Sequence, residues 1–424
     1  MRIHAFVQHY PSPYKPYYDA QFADLLRKGH ALAIFATADL DRVHSAKVQE
    51  YGLARRTSYV PGTLRELPRH LPRLAGAAAG LGAAAPARVR RVLGRAAGGK
   101  AGLLAASRAL ALGRGEPDLC LVHGLGTASL FPWLRLAFPG VPVALYYHGG
   151  EVPLAPQVAA DVAAAAFGAA DIVFTNTAFS RRQAIERGCA PERVAVLPVG
   201  FALEDYVPAR PRAYRPGGRL RLVSAGRVSE EKGFLHALEA LRRVVEQGET
   251  RVSYSIAGDG YQRPRLAAFV REHGLAPYVE LTGVLPHPAL IDRLGHADAL
   301  LLPSVPLGNW AETQACAVQE GLLMGALAVT TRMGGVPESI PPEMRRFAVA
   351  PGDPAALARV ILELTTMSEG EMRRLAERGS RFVAERYDIR QLNDELLERT
   401  LATRPGAALR PEPAPLRSAL GSGA

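Results

Sequence analysis

Short apolar runs alternate with stretches of helical spacing along most of the chain. Ile3 to Gln8 reads as a buried strand. Asp19 to Lys28 follows with Phe22, Leu25 and Leu26 at helical spacing, Gly29 closes it, and Ala31 to Thr37 is the next strand. Strand, helix, strand in this order is the opening of a doubly wound sheet. The rhythm resumes with strands at Leu119–Val122, Val143–Tyr147, Ile172–Thr175 and Val194–Pro198. A Pro- and Arg-rich stretch of low periodicity intervenes from Glu204 to Arg219. Strands then return at Leu220–Ala225, Val252–Ala257, Val279–Thr282, Ala299–Pro303 and Ala326–Thr331, and helical spacing runs from Ala355 to Glu395.

The chain has 424 residues, more than one core of ordinary size holds, and 48% of them are hydrophobic. The expected α/β organisation is a Rossmann-like domain over 1–203, a linker over 204–219, a second Rossmann-like domain over 220–375, a C-terminal helix over 376–401 and a disordered tail over 402–424. The formal charge of +11 raises the expectation of an anionic partner: a nucleotide diphosphate, a membrane surface or nucleic acid. Nucleic acid is the weakest of these, because no helix-turn-helix, zinc-finger or RNA-binding signature is present. Cys120, Cys189 and Cys316 are too few and too scattered for a disulfide framework or a zinc site, which fits a reducing cytoplasm. The N-terminus does not read as a signal peptide, and no uncharged apolar stretch is long enough to span a bilayer. Leu67 to Gly115 carries nine Arg and Lys residues and no acid. It reads either as a solvated basic helix pair or as a surface for anionic lipid headgroups at the inner face of a membrane.

The chemistry concentrates in the second half. Glu312 and Glu320 stand eight positions apart in Gly308-Asn-Trp-Ala-Glu312-Thr-Gln-Ala-Cys-Ala-Val-Gln-Glu320. Pro306, Gly308 and Asn309 place Glu312 on a loop, and the apolar Leu322, Leu323 and Met324 place Glu320 on a following buried helix. A carboxylate accepts two hydroxyls at once, which suits a ribose or sugar diol. Backbone N–H groups at the helix start, near Thr313, Gln314 and Ala315, are free to meet phosphate or sugar oxygens. Arg227 and Lys232 follow a strand, across a turn that opens a helix, so both cations and a helix N-terminus aim at one anion. Lys232 is also the last lysine of an otherwise Arg-using chain. Gly258-Asp259-Gly260 reads as the wall of a nucleotide pocket rather than a dinucleotide fingerprint, and Thr282-Gly283-Val284 offers backbone groups to a base. His148, at a strand C-terminus, suits a sugar hydroxyl. Asn176 to Ser180 is a helix start that either holds an anion or is simply capped. Asp39-Leu40-Asp41 is read as a loop, and no metal or other cofactor is expected.

Taken in order, Leu220–Gly233, Ile256–Leu266, Val279–Val284, Leu301–Ser304 and Trp310–Glu338 resemble the blocks of the retaining glycosyltransferases of family 4, the group 1 transferases of GT-B fold. The resemblance implies two Rossmann-like domains facing across a cleft, with a C-terminal helix around Arg381 to Leu397 crossing back to the first. It implies that Arg227 and Lys232 bind the donor diphosphate, Glu312 the donor sugar and Glu320 the ribose. Gly258, Gly260, Val284, Thr313, Gln314 and Ala315 then complete the donor site. His148 lies beside the sugar, Gly334-Gly335-Val336-Pro337-Glu338 is a helix start, and the acceptor meets Tyr14, Lys15, His148 and Glu151. Retention of configuration without a metal is also implied. The chain departs from the family in its Tyr10–Tyr18 loop, which resembles that of some exopolysaccharide transferases, and in Thr313 and Gln314 after the first glutamate. The function so implied is transfer of a sugar from a nucleotide-diphosphate donor to a glycan or lipid-linked glycan acceptor. A small natural-product or sugar acceptor is the alternative within that class. A non-catalytic sugar-nucleotide or lipid-binding protein is the alternative outside it. An NAD-type oxidoreductase lacks its Gly-rich fingerprint here.

Overall fold

The computed structural model describes residues 1–12, 15–40, 45–62, 64–71, 100–112, 116–130, 134–149, 156–207, 213–215 and 218–404. Two parallel sheets carry the chain. The first has seven strands: β1 (Arg2–Phe6), β2 (Ala31–Ala36), β3 (Thr57–Tyr59), β4 (Leu119–His123), β5 (Val143–Tyr147), β6 (Ile172–Thr175) and β7 (Val194–Val196), in the order β3-β2-β1-β4-β5-β6-β7. The second has six: β8 (Leu220–Ala225), β9 (Val252–Ala257), β10 (Val279–Gly283), β11 (Ala299–Leu302), β12 (Leu327–Thr331) and β13 (Ala348–Val349), in the order β10-β9-β8-β11-β12-β13. Each sheet reverses direction beside its first strand, the doubly wound arrangement whose switch point lies at the C-terminal strand ends. Helices cover both faces, so the central strands are buried on both sides, and this is why they read as unbroken apolar runs. The edge strands β3 and β13 had no such signature: none of Thr57, Ser58 and Tyr59 is fully buried, and β13 is only two residues long.

The C-terminal stretch expected as one helix over 376–401 is two, Glu369–Arg386 and Ile389–Leu401. The break has a local cause. Asp388 takes the N-cap of the last helix, its side chain accepting from Arg390 N–H at 2.9 Å. The interrupted backbone pairs with the chain leaving the first sheet: Phe201 N–H donates to Tyr387 O at 2.7 Å, and Ile389 N–H donates to Phe201 O at 3.0 Å. Beyond that crossing the last helix lies on the first half. Leu392, Leu396 and Leu397 join the core under β1, β2 and β4. Asn393 Nδ2 donates to Gln21 O (3.1 Å) and Asp24 Oδ2 (2.9 Å) of helix Pro16–Arg27. Lys28 Nζ reaches Asp394 at 2.5 Å.

The expected linker is bound rather than loose where it is described. Leu203–Asp205 forms a 3-10 turn, Glu204 pairs with Arg27 and Arg390, and Asp205 pairs with Lys47. The Arg215 guanidinium donates to the carbonyls of Thr365 and Met367. Ala402 N–H still donates to Glu398 O, and Arg404 donates to Asp118 O, so the chain is held to that point. The rest of the expected tail lies outside the described residues, as does most of the basic 67–115 stretch. Of that stretch, helix Lys100–Ala111 is described, and its buried Arg108 donates to the carbonyls of Pro61 and Gly62. No helix among the described residues is long and apolar enough to cross a membrane.

The crossing is tightly fitted at Gly200. A Cβ there would stand 2.8 Å from Ile389 Cα and 2.9 Å from Leu392 Cδ1. Gly200→Ala is therefore expected to push the last helix off the first sheet and to lower stability by about 1–3 kcal/mol, read as a drop in Tm by thermal unfolding. An unchanged Tm would show that this contact is not close in solution.

Candidate functional site

A cavity of about 2380 Å³ opens between the facing C-terminal edges of the sheets. Its walls include Lys15, Tyr17, Asp19 and Lys47 from the first half, and Arg227, Lys232, Gly258, Gly260, Val284, His287, Glu312 and Glu320 from the second.

The cationic corner is shaped by glycines. A Cβ on Gly258 would stand 1.8 Å from Gly226 O, and one on Gly260 would stand 2.3 Å from Val228 O, so the turns after β8 and β9 lie against each other. Gly233, at φ +66°, sits 2.0 Å (by its missing Cβ) from Pro303 O and heads the helix Phe234–Glu246. Before it, Glu230–Lys232 is a 3-10 turn rather than the start of that helix. Arg227 reaches outward with its side chain 64% exposed, and its guanidinium meets Glu231 at 3.0 Å. Burial works against the charge of Glu231, but the Ser229 hydroxyl at 2.6 Å and the adjacent backbone and cations outweigh it and hold its pKa below the ordinary range. Lys232 points inward. Its ammonium lies 2.6 Å from Glu312 Oε2 and 5.3 Å above the Trp310 ring. Ser304 Oγ donates to the same carboxylate oxygen at 3.2 Å.

Glu312 is on the loop and Glu320 on helix Cys316–Leu323, as the sequence indicates. Both are buried. Glu320 Oε1 accepts from Tyr206 Oη at 3.0 Å and from His287 Nε2 at 3.1 Å. Among the described residues Glu312 Oε1 and Glu320 Oε2 accept nothing, so each carboxylate keeps one oxygen for a ligand. Burial lowers the pKa of His287, but its bond to Glu320 and the surrounding carboxylates prevail and raise it.

Several expected donor contacts are used otherwise. Thr313 Oγ1 donates to His148 O at 2.7 Å. Gln314 Nε2 donates to Val199 O (2.8 Å), and its Oε1 accepts from Val199 N–H (2.9 Å). Ala315 N–H donates to Ser339 Oγ at 3.3 Å, so that helix-start amide is not free. Thr313 and Gln314 thus tie the Glu312 loop to the first half, while Gln314 and Ala315 also line the cavity. Gly283 O accepts from Gly258 N–H at 2.8 Å, which removes one of the backbone groups expected to read a base, while Val284 stands 49% exposed at the cavity wall.

His148 is set back from the cavity wall. Its ring stacks with Tyr146 and His123 at 5.5 Å each, and its Nε2 lies 3.2 Å from His123 Nδ1. Burial, reinforced by Lys15, pushes its pKa down to about 3, so it is a neutral imidazole. His123, buried against it, is shifted in the same direction for the same first reason. Lys15 lines the cavity; Tyr14, Glu151 and Asp41 lie outside the described residues. At the helix start after β6 the capping reading prevails. Thr177 accepts from Ser180 N–H at 3.1 Å, and Glu338, from the second half, accepts from Ala178 N–H (2.7 Å) and Phe179 N–H (2.9 Å). Val336–Glu338 is a 3-10 turn, not a longer helix. Among the described residues no group of three or more His, Cys, Asp or Glu side chains could hold a metal ion.

The family described as Glycosyltransferase Family 4 matches residues 22–205, and that described as Glycosyl transferases group 1 matches residues 219–367, one for each sheet. The chain belongs to the group 1 glycosyltransferases. Its GT-B fold matches that of Anabaena HepE in complex with UDP and glucose, with a TM-score of 0.67 at 17% identity, over 94% of this chain and 99% of that one. The putative colanic acid biosynthesis glycosyltransferase WcaL of Escherichia coli (strain K12) is 29% identical over 210 residues, 49% of this chain and 51% of its own length. The amylovoran biosynthesis glycosyltransferase AmsK of Erwinia amylovora is 31% identical over 189 residues, 44% of this chain and 45% of its own length. The matched stretch therefore spans about half the length of these curated relatives.

Sequence reasoning missed three side chains of this group 1 glycosyltransferase. Tyr206 was hidden in a presumed linker. His287 sat between prolines with no periodic partner. Glu338 read as part of a helix start, and nothing local announces a carboxylate that caps a helix of the other half.

The two desolvated histidines make a pH prediction. Their folded-state pKa values lie below the unfolded value of about 6.5. The unfolded chain therefore binds more protons below that pH, and stability is full above pH 6.5 and falls as pH drops towards 3. Each such group is expected to contribute a slope of about 1.4 kcal/mol per pH unit within that window. Tm measured from pH 7.5 to 5 should fall in the wild type and fall less steeply in His148→Phe. Identical slopes would mean that His148 titrates normally.

Proposed function

We propose that this chain transfers a glycosyl group from a nucleotide-diphosphate sugar to a hydroxyl of a glycan acceptor, with retention of configuration and without a metal ion. The observation that carries this reading is the part-buried Lys232–Glu312 pair at the cationic corner beside Arg227 and the start of helix Phe234–Glu246. Breaking the sugar–phosphate bond leaves a diphosphate and an oxocarbenium-like centre. Arg227, Lys232 and the helix start offer positive potential to the first without reorganisation, and Glu312 offers an acceptor to the sugar beside it. Lys232 has further N–H donors beyond the one on Glu312, so it serves phosphate without leaving the pair. The cations supply the charge compensation that a divalent ion supplies elsewhere, which is the reason for proposing metal independence. Glu320 takes the ribose, and the cavity wall at Gly258, Gly260 and Val284 takes the base.

Polysaccharide assembly is the proposed setting, supported by the names of the relatives WcaL and AmsK. A small acceptor is the second reading. It is supported by the 2-deoxystreptamine N-acetyl-D-glucosaminyltransferase of Streptomyces fradiae, 27% identical over 287 residues, 62% of this chain and 66% of its own length. A cytoplasmic location with peripheral contact through residues 67–115 is proposed on the charge of that stretch. Cosedimentation with anionic vesicles but not with neutral ones is the expected result, and equal recovery with both would end that part of the proposal.

The donor site is tested by calorimetry with UDP, GDP, ADP and dTDP and their sugars, with and without EDTA. One nucleotide should bind tightly and independently of EDTA. Arg227→Ala and Lys232→Ala should each weaken it by about ten-fold or more, as expected for charge-assisted contacts. Acceptor-free hydrolysis followed by NMR should release the sugar first in the anomeric form of the donor. Unchanged affinity in both variants would overturn the phosphate assignment, and release of the opposite anomer would overturn retention.

A further inference from the structure

Glu320 is held from two directions by side chains that belong to neither its helix nor its sheet connection. Tyr206 follows the 3-10 turn Leu203–Asp205, and His287 opens helix His287–His296. Both donate to the same atom, Oε1, at 3.0 and 3.1 Å. Both line the cavity together with Glu320. Their rings meet edge to face, with centroids 6.2 Å apart and planes at 84°. Tyr206 also packs edge to face on Phe201, at 5.7 Å and 88°.

This convergence has a chemical consequence. A carboxylate that is free to rotate presents either oxygen to a ligand. With both lone pairs of Oε1 filled, the group is locked about its terminal torsion, and only Oε2 remains open. We propose that Tyr206 and His287 are the positioning residues of the nucleotide site: they fix Glu320 so that Oε2 meets the 2′- and 3′-hydroxyls of a ribose. The inference rests on the ribose role given to Glu320 above. It adds where the carboxylate's orientation comes from and which oxygen does the binding. A ligand with vicinal hydroxyls on its ribose gains from a carboxylate held in advance; a ligand lacking them does not.

The test is a comparison of ligands rather than of stabilities. The full chain and its variants are titrated with UDP, GDP and ADP and with their 2′,3′-dideoxy counterparts. In the wild type, the preferred ribonucleotide should bind more tightly than its dideoxy form. Tyr206→Phe, which keeps the ring, and His287→Leu should each weaken the ribonucleotide by about five-fold or more and leave the dideoxy form unchanged. His287→Gln keeps a donor and should recover most of the loss. Equal weakening of both ligand forms in the variants that fold would mean that the two residues merely support the pocket, and no weakening in either would mean that Glu320 needs no holding; both results overturn the proposal. The underlying reading fails separately if Glu320→Ala keeps the full ribose preference, or if the wild type shows no such preference. Thermal unfolding without nucleotide identifies any variant that does not fold, and the other variant then carries the comparison.

Discussion

The cleft depends on how closely two pieces of backbone approach. Gly334 and Gly335 lie against the loop that carries Glu312: a Cβ on Gly334 would stand 2.1 Å from Glu312 O, and one on Gly335 would stand 2.0 Å from Thr313 O. Gly335 N–H donates to Glu312 O at 2.9 Å. No side chain fits in that contact, and Gly334 at φ +55° also needs the left-handed region. Because the loop is clamped from behind, its side chains can point two ways at once. Glu312 turns to Lys232 in its own half, while Thr313 and Gln314 bond to His148 and Val199 in the other. The same turn then delivers Glu338 to the helix start at Ala178 and Phe179. A single short segment, Gly334 to Glu338, thus backs the loop that carries Glu312 and joins the halves.

Around that clamp the charges divide into two kinds. On the Glu312 and Glu320 side the polar groups are largely buried and paired, Lys232 with Glu312 and His287 with Glu320. A buried ion pair gives little net stability, because desolvation of both partners offsets their attraction. What the pairing provides is orientation. On the other side of the cleft, desolvation lowers the pKa values of the buried His123 and the partly buried His148, and His148 stays neutral. A neutral imidazole can both donate and accept a hydrogen bond without adding to the positive field of the cations across the cleft.

The fold was legible because parallel strands buried on both faces write themselves as apolar runs, and helices between them keep their own spacing. Eleven strands announced themselves in that way, and β3 and β13 did not, because an exposed or two-residue edge has no periodicity to read. The single C-terminal helix was misread because Asp388 gives only a weak signal on its own. Its meaning lies in Phe201, far away in sequence, which pairs with the residues on either side of it. At the site, the positions and order of Arg227, Lys232, Glu312 and Glu320 were readable, since each sits beside a strand end or helix start. Their partners were not. Tyr206 and His287 reach Glu320 over separations of 114 and 33 residues, and no local pattern encodes such a meeting. Thr313 and Gln314 look like ordinary ligand-facing polar residues until the opposite half is brought against them.

The chain passes between the two halves twice, and the two passages run side by side, bonded to each other through Phe201, Tyr387 and Ile389. Bodies linked by one thread can swivel freely; bodies linked by two adjacent, mutually bonded threads cannot twist or slide without tearing the seam. One easy motion remains, a bending about the line of the seam, like a book about its spine. The pages of that book are the two cavity walls. Such a rotation would also strain the bonds that cross between the halves elsewhere, those of Glu338 to Ala178 and Phe179, of Thr313 to His148 and of Gln314 to Val199.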